Sequence, residues 1–132
     1  MACGDTGTGK MPEPGYLFDV IEREIAREKD MLGKKVLVTA GATMEALDPV
    51  RFLTNHSSGK MGFAIAKEAM LRGAEVTVVK ANTTAEIPNF VNVVEVSSAG
   101  DMFNAVKAVS NQQDIIVKAA AVADYTPESY VD

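Results

Sequence analysis

The sequence predicts an α/β fold: a mainly parallel sheet with helices on both faces. Three observations predict it. Short runs rich in β-branched residues alternate with amphipathic or Ala-rich stretches of helical period. The resulting order is strand, helix, strand, strand, helix, strand, and parallel strands need crossovers. The 132 residues, 47% of them apolar and 23% charged, suit one domain, or one and a fragment, with a buried core.

Each element has its own warrant. Residues 1–15 are rich in Gly and Pro and show no hydrophobic period, which reads as loop or tail. From residue 16, Leu17, Val20, Ile21, Ile25 and Met31 fall near helical spacing among charged residues. The spacing predicts an amphipathic helix over residues 16–31, stopped by Gly33, whose apolar stripe must pack on something. KVLVTA, residues 35–40, is a buried strand, and a long loop follows over residues 41–58. Residues 59–72 form an Ala-rich helix with Phe63, Ala66, Ala69 and Met70 near one face, closed by Gly73. Residues 75–80 and 91–96 are strands, residues 99–110 a helix, and residues 114–121 a fourth strand.

Composition excludes several classes of function. Thirteen Lys and Arg face 18 Asp and Glu, a net charge of -5, so a broad nucleic-acid surface is not expected. A single cysteine, Cys3, forms no internal disulfide. The start lacks an apolar secretory core, and no apolar run approaches the roughly 18 residues of a membrane span, so a cytoplasmic location is expected.

In open parallel sheets, ligands bind beyond the carboxyl ends of the strands, near the switch in strand order. That directs attention to the loop after the first strand and to residues 119–125 after the fourth. Gly4 to Lys10 imitates a phosphate-binding P-loop, but Met11 stands where Ser or Thr should, and no strand precedes it. The first strand is followed by Gly41-Ala42-Thr43-Met44-Glu45, without the G-x-G-x-x-G of dinucleotide binding, which disfavours an ordinary NAD domain.

The strongest local signal is Thr54-Asn55-His56-Ser57-Ser58-Gly59-Lys60-Met61-Gly62. Ser57 or Ser58 can cap the helix that follows, and its first-turn amides and dipole suit an anion. Gly59 and Gly62 allow a ligand and the sheet to approach, and Asn55 offers both a donor and an acceptor. The alternative is a capped helix with nothing bound. His56, the one histidine, reads as structural or supporting. After the fourth strand, small residues Ala119 to Ala121 admit a flat ligand, and Asp124 can serve a ribose or a metal, or simply form a turn. Arg51 can meet phosphate or pair with Asp48. No Cys/His cluster for zinc exists.

Taken together, GATMEALDPVRFLTNHSSGKMGFAIAKEAMLRGAEVTVV and AAAVADY closely resemble the phosphopantothenate–cysteine ligase domain of coenzyme A biosynthesis. ACGDTGTGKMPEP resembles the closing motif of the phosphopantothenoylcysteine decarboxylase domain, which many bacteria fuse ahead of the ligase. The resemblance implies a decarboxylase tail over residues 1–15, a connecting helix over 16–33, and the amino-terminal part of a ligase domain over 34–132. It implies a Rossmann-like three-layer sandwich, incomplete at the carboxyl end.

The implied chemistry activates the carboxylate of 4'-phosphopantothenate with CTP and Mg²⁺, giving an acyl-cytidylate and pyrophosphate. The amine of cysteine then attacks and releases CMP. The resemblance makes Asn55 catalytic, holding the acyl-cytidylate. It gives Ser57, Ser58 and Gly59 to phosphate, and Lys118, Ala119, Ala120 and Asp124 to the cytidine pocket, with Asp124 toward nucleotide or metal. Cys3 matches the decarboxylase's catalytic cysteine, a proton donor beside FMN, whose binding region is expected before Met1. Family ligases are dimers, which makes a homo-oligomer the expected state. Lys118 departs from the family, where a small residue is usual. A lysine-bearing segment that follows ADY in the family is expected beyond Asp132, so these residues alone are expected to bind nucleotide weakly and to be inactive or nearly so. The competing reading is a non-catalytic nucleotide-binding or assembly fragment, which titration with CTP and Mg²⁺ separates from the first.

Overall fold

A computed structural model describes residues 11–128. The elements run α1 (Pro14–Ile25), β1 (Lys35–Ala40), β2 (Met44–Ala46), β3 (Phe52–Thr54), α2 (Lys60–Leu71), β4 (Glu75–Lys80), β5 (Asn92–Glu95), α3 (Ala99–Val109), a 3-10 turn (Ser110–Gln112) and β6 (Ile115–Lys118). Cys3, the P-loop imitation from Gly4 to Lys10 and residues 129–132 lie outside the described residues.

Four strands form one parallel sheet in the order β5-β4-β1-β6. Val38 pairs with Val78 on one side and Val117 on the other. β1 is therefore a central strand and reads as a continuous apolar run, Val36 through Ala40 all buried. Its side chains alternate between two cores. Val36, Val38 and Ala40 meet Phe63, Ala66 and Met70 of α2, together with Val76 and Val78. Leu37 meets Val79, Ala81 and Met102 of α3 on the other face. The two helices thus lie on opposite faces of the sheet, as the alternation of elements predicts.

α3 begins with a capping box. The Ser98 side chain accepts from the Asp101 amide at 3.1 Å, and the Asp101 carboxylate accepts from the Ser98 amide at 3.0 Å.

The first helix differs from its prediction. It ends at Ile25 rather than residue 31, and none of its residues is buried. The chain turns back because it is tied to α2. Lys29 Nζ donates to the carbonyls of Arg23 and Leu71, and the Met31 amide donates to Arg72. An ion pair links the helix to α2, Glu22–Lys67 at 2.9 Å, and Arg27–Glu68 at 2.8 Å ties the turn after it, while Leu17 and Val20 are half-buried. Phe18, Ile21 and Ile25 remain exposed. The loop over residues 41–58 also differs: it contains the antiparallel hairpin β2–β3, with Met44 opposite Thr54.

Candidate functional site

The strand order places the site. From β1 the chain steps to β4 and on to β5, then returns to add β6 on the other side of β1. The switch therefore lies between β1 and β6, and the loops leaving their carboxyl ends meet there. Ala42 bridges Ala121 on one side and Asn82 on the other, which extends the sheet's edge into the loops.

Asn55 is brought to this seam. Its Nδ2 donates to the Ala121 carbonyl at 3.4 Å, and the side chain is otherwise exposed. The same carbonyl accepts from the Thr43 amide at 3.2 Å. Thr54, beside Asn55, donates through Oγ1 to the Thr43 carbonyl at 2.8 Å. The loops carrying Asn55 and Asp124 are thus on one rim, joined through Ala121.

Residues 119–123 are shaped by two buried threonines that sequence reasoning passed over. Thr39 Oγ1 accepts from the amides of Ala119 and Ala120, at 3.1 and 3.2 Å. Thr43 Oγ1 accepts from the Ala123 amide at 2.9 Å. The Ala119 and Ala120 amides are therefore occupied, and what this stretch offers a ligand is carbonyls and methyl groups. Lys118 is exposed at the end of the edge strand, and Asp124 is exposed two residues past Val122.

The helix entry differs from expectation in one respect. The N-cap of α2 is Gly59, in a left-handed conformation at φ 81°, and no side chain caps it. Ser58 Oγ lies 3.4 Å from the Lys60 amide, a long contact, and Ser57 is half-buried. The loop tightens there because the Ser58 carbonyl accepts from the Thr84 and Ala85 amides, at 3.2 and 3.1 Å. A Cβ on Gly59 would meet Thr83 Cγ2 at 2.6 Å, so the space beside this glycine belongs to Thr83 rather than to a ligand. The uncapped first turn leaves the amides of Lys60, Met61 and Gly62 without an intrahelical partner, at the positive end of the helix dipole. A Cβ on Gly62 would come 2.7 Å from Ala40 Cβ and 3.0 Å from the Thr39 carbonyl, so this glycine seats α2 against the end of β1.

Arg51 pairs with Asp48 at 2.6 Å and is mostly exposed. The Val50 and Arg51 amides, then the Arg51 guanidinium, hold the Asp48 carboxyl below the usual carboxylate range. This pair turns the β2–β3 hairpin. His56 is exposed. Glu45, 5% exposed, was also unread in the sequence: its Oε1 accepts from the Ala99 amide at 2.8 Å and ties the hairpin to the start of α3.

A cavity of about 360 Å³ lies between α1, α2 and the loop after β4, lined by Asp19, Glu22, Lys60, Lys67, Glu86 and Phe90 among others, and it reaches the first turn of α2 only through Lys60 and Phe63. Lys67 is engaged by Glu22. Among the described residues no three His, Cys, Asp or Glu side chains converge as a metal site, and no helix is long and apolar enough to cross a membrane.

Residues 31–132 match the family described as the DNA/pantothenate metabolism flavoprotein C-terminal domain. The coenzyme A biosynthesis bifunctional protein CoaBC of Vibrio vulnificus strain YJ016 is 47% identical over 131 residues, 99% of this chain and 32% of the relative. That of Bacillus subtilis strain 168 is 42% identical over 135 residues, 100% of this chain and 33% of the relative. The chain spans about a third of the length of these curated relatives. The crystal structure of the C-terminal domain of a coenzyme A biosynthesis bifunctional protein CoaBC superposes with a TM-score of 0.70 at 51% identity, covering 74% of this chain and 50% of that one. With most of its length matched by that family model, the chain belongs to the DNA/pantothenate metabolism flavoprotein C-terminal domain family.

Proposed function

We propose that the chain forms the nucleotide-binding part of a phosphopantothenate–cysteine ligase, acting with CTP in coenzyme A biosynthesis. In this reading it belongs to a bifunctional protein that also decarboxylates the product. The observation that carries the reading is the convergence at the switch point: Asn55 bonded to Ala121, beside the uncapped start of α2.

The chemistry follows from what these groups can do. A carboxylate is a poor electrophile, and joining it to a nucleotide phosphate supplies a leaving group. The protein's part is then positioning and charge stabilisation. The first-turn amides of Lys60, Met61 and Gly62 and the α2 dipole suit phosphate oxygens. Asn55, anchored through Nδ2, keeps its Oδ1 available to a donor and its remaining N–H to an acceptor. Ala119 and Ala120 present backbone carbonyls and small side chains to a flat base.

A magnesium ion would neutralise triphosphate charge. One or two carboxylates suffice for it when the nucleotide supplies the other oxygens, so exposed Asp124 fits as a single ligand. FMN does not fit the described residues. The cavity between α1 and α2 sets Asp19, Glu22 and Glu86 against two lysines, one already paired, which disfavours a flavin phosphate. The flavin and Cys3 belong in this reading to the decarboxylase part, and no step here uses them. A dimer is part of the same reading, supported by exposed Val50, Phe52 and Leu53 on the hairpin.

Titration with CTP and Mg²⁺ tests the proposal. Saturable binding, weakened by Asn55→Ala and by Asp124→Ala, supports it. Binding indifferent to both substitutions, or none at millimolar nucleotide, contradicts it.

A further inference from the structure

Thr43 is 0% exposed, three residues past the end of β1. All three of its polar groups are used, each by a residue outside its own turn. Its amide donates to the Ala121 carbonyl at 3.2 Å. Its carbonyl accepts from Thr54 Oγ1 at 2.8 Å. Its Oγ1 accepts from the Ala123 amide at 2.9 Å. These partners are the neighbours of the two residues that matter most at the rim. Thr54 precedes Asn55, Ala123 precedes Asp124, and Ala121 O is the atom to which Asn55 Nδ2 donates.

We infer that Thr43 is a positioning residue of the nucleotide site: through Thr54, Ala121 and Ala123 it fixes where Asn55 stands relative to Asp124. The inference rests on the ligase reading of that site. Its physical basis is the difference in order between the residues concerned. Asn55 and Asp124 are both exposed and lie on loops, so nothing in their own burial holds them. Thr43 is buried between them and β-branched, and a β-branched side chain has few rotamers to choose from. Its hydroxyl is therefore held toward Ala123 at no further loss of freedom. Thr39 does comparable work only for the first half of the loop, at Ala119 and Ala120.

Valine tests the hydroxyl and serine tests the shape. Thr43→Val keeps the branched outline but leaves the half-buried Ala123 amide without its acceptor, whereas Thr43→Ser keeps the acceptor and loses a methyl group. The unsubstituted chain and both variants are titrated with CTP and Mg²⁺ by amide NMR, with hydrogen exchange followed in the same samples. Thr43→Val is expected to weaken CTP binding by about tenfold, the equivalent of one lost hydrogen bond. It also removes protection of the Ala123 amide while leaving Leu37 and Val78 protected. Thr43→Ser is expected to bind within about threefold of the unsubstituted chain.

CTP binding by Thr43→Val at unchanged affinity, with Ala123 deprotected, would overturn the inference and leave the ligase reading standing. Equal losses in both variants, or lost protection at Leu37 and Val78, would assign Thr43 to general stability and overturn it too. Absence of CTP binding by the unsubstituted chain would overturn the ligase reading, and this inference with it.

Discussion

Asn55 and Ala121, 66 residues apart in sequence, meet at 3.4 Å across the seam between β1 and β6. The contact joins the loop after the first strand to the loop after the last, at the one place where the strand order reverses. Removing it has a specific expected outcome. Asn55→Ala should weaken CTP binding by about fivefold, because a side-chain hydrogen bond contributes about 1 kcal/mol net. The thermal midpoint should barely move, since the side chain is exposed and fills no core. Calorimetric titration and a melting curve on the same sample check both halves.

Gly62 should tolerate no side chain. A methyl group there would sit 2.7 Å from Ala40 Cβ and 3.0 Å from a backbone oxygen, and the sheet end cannot easily yield. Gly62→Ala is expected to cost about 1–3 kcal/mol, read as a lower urea midpoint at unchanged slope.

Ser98→Ala should cost about 1 kcal/mol through loss of the capping box of α3. The same urea series measures it. Helix content should fall by no more than the first turn.

Stability should decline in acid. The Lys35 amide holds the Asp114 carboxyl below the usual carboxylate range, and the Ser98 amide and hydroxyl do the same for Asp101. Their folded values lie below the unfolded value of about 3.9, so the stabilisation is fully present well above that pH. It is lost as pH falls through the folded values. Asp114→Asn should therefore lower the urea midpoint at pH 7, and lower it progressively less as the pH falls through the folded value and the wild-type carboxyl takes up its proton.

The sheet was legible because its strands are runs of β-branched residues bounded by Gly or charge, and because β1 and β4 are buried on both faces. The switch-point loops followed from strand order alone. The hairpin was not legible: Met44-Glu45-Ala46 and Phe52-Leu53-Thr54 are three residues each, too short to show alternation. The end of α1 was misread because its turn is fixed by Lys29 and Met31 reaching α2, contacts far away in sequence. At the candidate site, Asn55 stood out through its polar neighbourhood, and the structure brings it to Ala121. Thr39 and Thr43 were passed over because a threonine in or beside an apolar strand reads as β propensity. Their meaning lies in amides some 80 residues away. The Gly59 cap was missed because adjacent serines are the commoner signal for that position.

The most direct measurement is an amide NMR titration with CTP and Mg²⁺. If the rim is a nucleotide site, saturable shifts should appear at Asn55 through Gly62 and at Ala119 through Asp124, with little change at Glu22, Lys67, Glu86 and Phe90 of the cavity between α1 and α2. Shifts centred on Phe90, Lys67 and Glu86 with the rim silent, or no saturable shifts at all, would contradict it.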